Sequence, residues 1–155
     1  NKNNINIVSM GFILGDDNSA TWRGPMLSGV IKQLINSTDW GNLDYLLIDM
    51  PPGTGDAYLT IFKELEVDNF ILISTDNTLS ISDSIRTISM LNKLNVKILG
   101  YIENNIFNIN NEDKNNFFEI DKLGTFTFHN KIYNFDPEYD CEESNNIAKR
   151  IEKIT

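Results

Sequence analysis

The segment Asp44-Tyr45-Leu46-Leu47-Ile48-Asp49-Met50-Pro51-Pro52-Gly53-Thr54-Gly55-Asp56 confines this chain to few folds. Its run from Tyr45 to Met50, apolar except for Asp49, reads as a buried strand of a parallel sheet. Asp49 then falls at the carboxyl end of the strand, where open α/β sheets bind their ligands. Pro51 and Pro52 fix φ and stiffen the exit, while Gly53 and Gly55 let backbone N–H groups approach a ligand closely. One carboxylate before a stiff, bare turn suits a Mg-nucleotide. An ordinary strand-to-helix turn, with Asp56 as N-cap of a helix starting at Ala57, accounts for the same residues. The neighbouring segments decide between the two.

Residues 5–14 read as a strand followed by a polar loop. Pro25 suits the first position of a helix, and Met26, Val30 and Leu34, flanked by Leu27, Ile31 and Ile35, predict that helix over about 25–37. Arg23, just before it, either reaches an anion or a partner subunit or is a solvated side chain beside a packed Trp22. Residues 40–43 form the turn into the Leu46 strand. Leu59, Phe62 and Leu65 predict a short helix ending near Glu66, and 69–75 a second buried strand. A longer helix capped by Thr78 or Ser80 carries Ile81, Ile85, Ile88 and Leu91 on one face and stops at Asn95. Residues 96–102 form a third strand that delivers Glu103 and Asn104 to the same ligand edge as Asp49. This alternation predicts an α/β fold, a doubly wound, mostly parallel sheet with helices on both faces.

From residue 105 to 122 the composition turns Asn-rich, as expected of an exposed loop. Residues 123–128 suggest an edge strand, Asp136-Pro137 a turn, and Ile147, Ile151 and Ile154 a closing amphipathic helix. Glu142, Glu143 and Glu152 dilute the basic residues of that helix, which makes its polar face a solvated one rather than a membrane contact. His129 stands alone, whereas metal ligands come in clusters, so it reads as a surface or packing residue.

With 155 residues, 41% of them hydrophobic, the chain suits one domain with a real core. A net charge of −9 argues against nucleic acid or an anionic membrane as partner. The single cysteine, Cys141, excludes an internal disulfide and fits a reducing compartment. No apolar run approaches the ~20 residues that span a bilayer. A soluble, cytoplasmic protein is expected, with a mitochondrial or plastid-type organelle as the alternative; no signal or transit segment is visible, and the chain opens at Asn1.

Taken together, Trp22-Arg23-Gly24-Pro25, the segment from Trp40 to Asp56, and Leu99-Gly100-Tyr101-Ile102-Glu103-Asn104 closely resemble the Mrp/NBP35 family of P-loop ATPases, within the MinD/ParA-like class. The resemblance runs in unbroken order over residues 7–104, and more loosely over the tail from Asp136. It implies a homodimeric ATPase that assembles or carries iron–sulfur clusters for apoproteins. By the same resemblance, Asp49 is the Walker-B-type carboxylate, acting on Mg²⁺ through water, and Pro51, Pro52 and Gly53 are the switch II segment that senses the γ-phosphate. Asn104 matches the position that recognises adenine, because a side-chain amide both donates to and accepts from a base edge. Arg23 and Gly24 belong to the motif peculiar to the Mrp branch, and Asp83 matches a position with a helix-surface or interface role.

Two departures qualify the family pattern. A P-loop needs Gly-Lys-Ser/Thr at the start of a helix, and no glycine of this chain is followed by lysine. The resemblance therefore places the P-loop strand and the switch I aspartate before residue 1. Residues 1–155 become the C-terminal part of a single P-loop ATPase domain that binds ATP and Mg²⁺ as the complete protein and is inactive alone. The absent strand would lie between the Leu46 and Ile71 strands. The family's Cys-Pro-x-Cys pair, which supplies thiolates to a 4Fe–4S cluster across a dimer, has no counterpart between Asn105 and Phe118. Cys141 alone is too few, and reads as a small, partly buried residue. Three functions follow: an ATP-dependent cluster carrier, a MinD/ParA-like positioning ATPase without a cluster, and a degenerate non-enzymatic module.

Overall fold

The computed structural model describes residues 5–9, 11–12, 24–50, 55–105, 116–133 and 140–155, in two compact units, Asn1–Glu66 and Val67–Thr155. In the first unit two helices pack together, α1 (Gly24–Asn36) and α2 (Asp56–Glu64). Leu27, Val30, Ile31, Leu34 and Ile35 are the half-buried stripe of α1, with Met26, expected on the same face, exposed; α2 buries Ala57, Tyr58, Thr60 and Ile61, while Leu59, expected to face inward, is exposed. The Thr60 hydroxyl donates to Ser28 Oγ at 2.8 Å, Lys32 Nζ pairs with Glu64 Oε1 at 2.8 Å, and Asn36 Nδ2 donates to Glu64 Oε2 at 3.2 Å. These contacts climb both helices together, so α1 and α2 run in the same direction. The Lys32 and Asn36 contacts hold the Glu64 carboxyl below the usual carboxylate range.

Parallel helices oblige the chain between them to return the length of α1, about 20 Å at 1.5 Å per residue, which six extended residues cover. Thr38 Oγ1 and Trp40 Nε1 donate to the Leu34 and Ile35 carbonyls at 2.6 and 3.0 Å and so finish α1, and Gly41 turns the chain at φ +60°. Residues 45–50 make the return without joining any ladder, which corrects the expected strand. Tyr45 is 63% exposed and Leu47 88%, so the run has strand composition but, among the described residues, no strand beside it to make it one. The strand expected over 5–14 is likewise not formed among the described residues: only Ile5 makes a bridge, and the Ser9 side chain and carbonyl, accepting from Gly11 and Phe12, turn the chain into a helical step. Asp56 is not the cap of α2. Gly55 takes the extended cap conformation, and Asp56 opens the first turn, where its charge meets the positive helix end.

The second unit is a three-stranded parallel sheet in the order β1 (Phe70–Ser74), β2 (Ile98–Asn105), β3 (Lys122–Thr127). Helix α3 (Thr78–Lys93) connects β1 to β2, and α4 (Asn130–Tyr133) and α5 (Glu142–Glu152) follow β3. The register pairs Leu72 with Tyr101 and Ile73 with Ile102, which sorts the side chains onto two faces. On one, Leu72, Tyr101 and Phe118 form the core with Ile81 and Ile88 of α3, and the Tyr101 and Phe118 rings meet edge-on at 4.9 Å. Phe117 and Phe118, at the end of the Asn-rich stretch, thus reach into this core; residues 106–115 lie outside the described residues, as does the turn expected at Asp136-Pro137. On the other face α5 covers β3, and it approaches so closely that a Cβ on Gly124 would stand 2.6 Å from Ile147 Cγ1.

The cap of α3 is neither Thr78 nor Ser80 but Asn77, whose Oδ1 accepts from Ser80 N at 2.9 Å. Asn77 has the extended backbone a cap requires, while Thr78 and Ser80 already lie in the helix. Asn95 ends the connection as expected, in the left-handed region at φ 57°. Asn77→Ala is expected to lower stability by about 1 kcal/mol, measured as a shift in the denaturant midpoint with an unchanged slope.

Candidate functional site

The carboxyl ends of β1, β2 and β3 form one edge of the sheet. Beside it lies a cavity of about 600 Å³, within the range of small-molecule sites, walled by Ile73, Ile102 and Asn104 from β1 and β2, by Phe126 and Thr127 from β3, and by Phe128 and His129 beyond it. Ile147, Ala148 and Ile151 of α5 close one side. Mostly apolar walls with a single amide among them suit a flat, hydrogen-bonding ring, because Asn104 both donates and accepts. Glu103, expected beside Asn104, is directed elsewhere. Adjacent strand residues face opposite sides, and Glu103 pairs with Lys122 on the far face.

Sequence spacing did not reveal the cluster at the end of β3. The Glu143 carboxylate, in the first turn of α5, accepts from the Thr127 hydroxyl at 2.6 Å and the Thr127 N–H at 2.9 Å, and His129 Nε2 lies 3.6 Å from Glu143 Oε2 and 3.1 Å from Thr127 Oγ1. Partial burial pushes the Glu143 carboxyl up, but the two Thr127 hydrogen bonds and the His129 ring outweigh it, and the group sits below the usual carboxylate range. A carboxyl depressed in this way adds stability above its unfolded value, and that stability is lost as pH falls through the acid range. His129 is therefore neither solitary nor merely packed.

A second polar knot closes the β1 end. Ser84 Oγ lies 3.1 Å from Ser74 Oγ, which lies 3.0 Å from Ser80 Oγ, and Thr75 N donates to Ser80 Oγ at 3.1 Å. Asp83 lies on the exposed surface of α3, paired with Arg86 at 3.0 Å.

Of the nucleotide- and metal-site residues expected from the sequence, Asn104 is the one among the described residues that lines this cavity. Asp49 belongs to the first unit, with its carboxylate exposed in the return run between α1 and α2. Gly24 begins α1. Arg23, Pro51, Pro52 and Gly53 lie outside the described residues. Cys141 is buried, 8% exposed, at the cap position of α5. Among the described residues no group of three or more His, Cys, Asp or Glu is placed to hold a metal, and no helix is long and apolar enough to cross a membrane.

An open parallel sheet with helices, and a cavity of ligand size at the carboxyl ends of its strands, are the marks of an open α/β fold that binds its ligand at that edge. The architecture is that of MinD-like P-loop NTPases. It matches the septum site-determining protein MinD of Pyrococcus horikoshii, solved with Mg-ADP, with a TM-score of 0.59 at 20% identity over 82% of this chain and 56% of that one. The cell division ATPase MinD of Pyrococcus furiosus matches with a TM-score of 0.57 at 19% identity, over 86% and 60%. A family model described as NUBPL iron-transfer P-loop NTPase, of the ParA group, matches residues 1–133, and the chain belongs to that family. Proteins named iron-sulfur cluster carrier protein are similar to it in sequence: that of Rickettsia conorii is 48% identical over 69% of this chain and 34% of its own length, and that of Synechocystis 44% over 64% and 28%. The chain thus spans about a third of the length of these curated relatives.

Proposed function

We propose that this chain is the switch II and base-recognising part of an ATP-binding, ATP-hydrolysing iron–sulfur cluster carrier. The observation that carries the proposal is Asn104 at the carboxyl edge of a parallel sheet, opening into an apolar cavity that accepts a flat ring. Asp49 would hold Mg²⁺ and neutralise phosphate charge, Pro51, Pro52 and Gly53 would respond to the γ-phosphate, and Arg23 and Gly24 would take part in binding the nucleotide. Asn104 offers an amide suited to a base and Asp49 one carboxylate for the metal, while no Gly-Lys pair for the triphosphate occurs in the sequence. A Gly-Lys-Ser/Thr loop supplied by the longer protein completes the site. Nucleotide binding draws two copies into a homodimer, apoproteins are its clients, and the relatives' bacterial hosts favour a cytoplasmic setting.

The cluster itself is cargo. One thiol per copy, Cys141, buried at the cap of α5, does not make the four-thiolate set of a 4Fe–4S cluster even across a dimer. The cluster's ligands therefore lie outside these residues. The single cysteine also favours a second function, a MinD-like positioning ATPase that never acquires iron.

The complete protein is expected to bind Mg-ATP, and Asn104→Ala to weaken that binding about tenfold while leaving GTP binding nearly unchanged, the loss of one or two hydrogen bonds. Fluorescence titration with both nucleotides measures this. Equal loss for ATP and GTP contradicts base recognition by Asn104. Anaerobic reconstitution separates the two functions: an iron–sulfur absorbance supports the carrier, and nucleotide-dependent dimerisation without iron supports the positioning ATPase.

A further inference from the structure

Phe126, Thr127, Phe128 and His129 are consecutive, and all four line the cavity. A continuing strand would send every second side chain to the opposite face, so the chain must turn where β3 ends at Thr127. Glu143 is what takes hold of that point. Its two oxygens accept from both donors of Thr127, the backbone N–H at 2.9 Å and the hydroxyl at 2.6 Å, and its Oε2 lies 3.6 Å from the His129 ring. The helix that carries Glu143 is itself fixed to β3, by Ile147 against Gly124 and by Arg150 Nη1 donating to the Leu123 carbonyl at 3.1 Å. In register, Asn104 stands beside Phe126, so the turn adjoins the one amide in the cavity.

We propose that Glu143 is a positioning residue for base recognition: by gripping Thr127 through both its donors, it aims Phe128 and His129 into the cavity and fixes the wall next to Asn104. This rests on the assignment of the cavity to the base of a nucleotide. Glu143 touches no ligand. It acts through Thr127, and its effect falls on the choice between bases, because a base edge is distinguished only when the wall and the amide keep a fixed spacing.

The test uses the complete protein, titrated with fluorescent ATP and GTP, with melting temperature measured alongside. Glu143→Ala is expected to reduce the preference for ATP over GTP about tenfold. Glu143→Gln, whose amide oxygen accepts from the Thr127 N–H and whose amide N–H donates to its hydroxyl, recovers most of that preference. Thr127→Val, which removes only the hydroxyl, loses part of it. Glu142→Ala, at the exposed residue just before it, does not alter it. If Glu143→Ala and Thr127→Val both keep the full ATP preference, the positioning role is overturned while the cavity's assignment stands. If wild-type protein binds neither nucleotide, the assignment fails and takes the positioning role with it. Should Glu143→Ala melt too low to titrate, Thr127→Val decides alone: loss of preference at an unchanged melting temperature supports the proposal, and full preference overturns it.

Discussion

Gly100→Ala is expected to be the most destabilising single-methyl change in the sheet. Gly100 has φ +151°, a region that side chains rarely adopt, and a Cβ there would stand 2.3 Å from the Asp121 carbonyl oxygen and 2.9 Å from Leu123 Cγ. Neither neighbour can yield. The Asp121 carbonyl accepts from Tyr101 N at 2.8 Å and so ties β2 to the start of β3, and Leu123 is buried. The strain and the overpacking together come to about 3 kcal/mol or more, which lowers the melting temperature of a domain of this size by about 10 °C. The effect should appear in thermal melts and in faster amide exchange along β2 and β3. A melting temperature within a degree or two of wild type would show that the close approach at Gly100 is not needed to pair the two strands.

Asp49→Asn in the complete protein is expected to lower ATP turnover about 100-fold or more, because the γ-phosphate transition state depends on charge neutralisation that an amide does not anchor. Asp49 is exposed and makes no hydrogen bond or ion pair among the described residues, so the substitution should leave the melting temperature nearly unchanged. Loss of turnover without loss of stability is the signature of a group kept for chemistry. Nucleotide binding should become insensitive to Mg²⁺ at the same time. Turnover within a fewfold of wild type would remove Asp49 from the metal site.

The two units differ in how far their sequence foretold them. In Val67–Thr155 the expected α3, α5, β1 and β2 overlap the observed elements, because Ile81, Ile88 and Leu91 of α3 and Ile147 and Ile151 of α5 meet the sheet or its core, although Ile85 is exposed and Ile154 lies beyond the end of α5. The run 45–50 has the same composition as β1 but forms no ladder: strand character is a property of a pair, and hydrophobic pattern records only one member. The caps are Gly55 rather than Asp56 and Asn77 rather than Thr78 or Ser80, since the choice depends on which residue takes extended φ and ψ, not on which has the better side chain. Asn104 could be read from its place at the carboxyl end of β2. The clamp of Glu143 on Thr127 and His129 could not, because its members come from a strand end and a helix start that only the packing of Ile147 on Gly124 brings together.

Photolabelling of the complete protein with a Mg-bound azido-ATP, followed by peptide mapping, tests most directly whether the cavity holds the base. Modification is predicted within residues 98–105 or 122–131, competed by ATP and reduced in Asn104→Ala. Competed labelling confined to other peptides, with these two unmodified, would contradict the assignment of Asn104 and its cavity to the nucleotide.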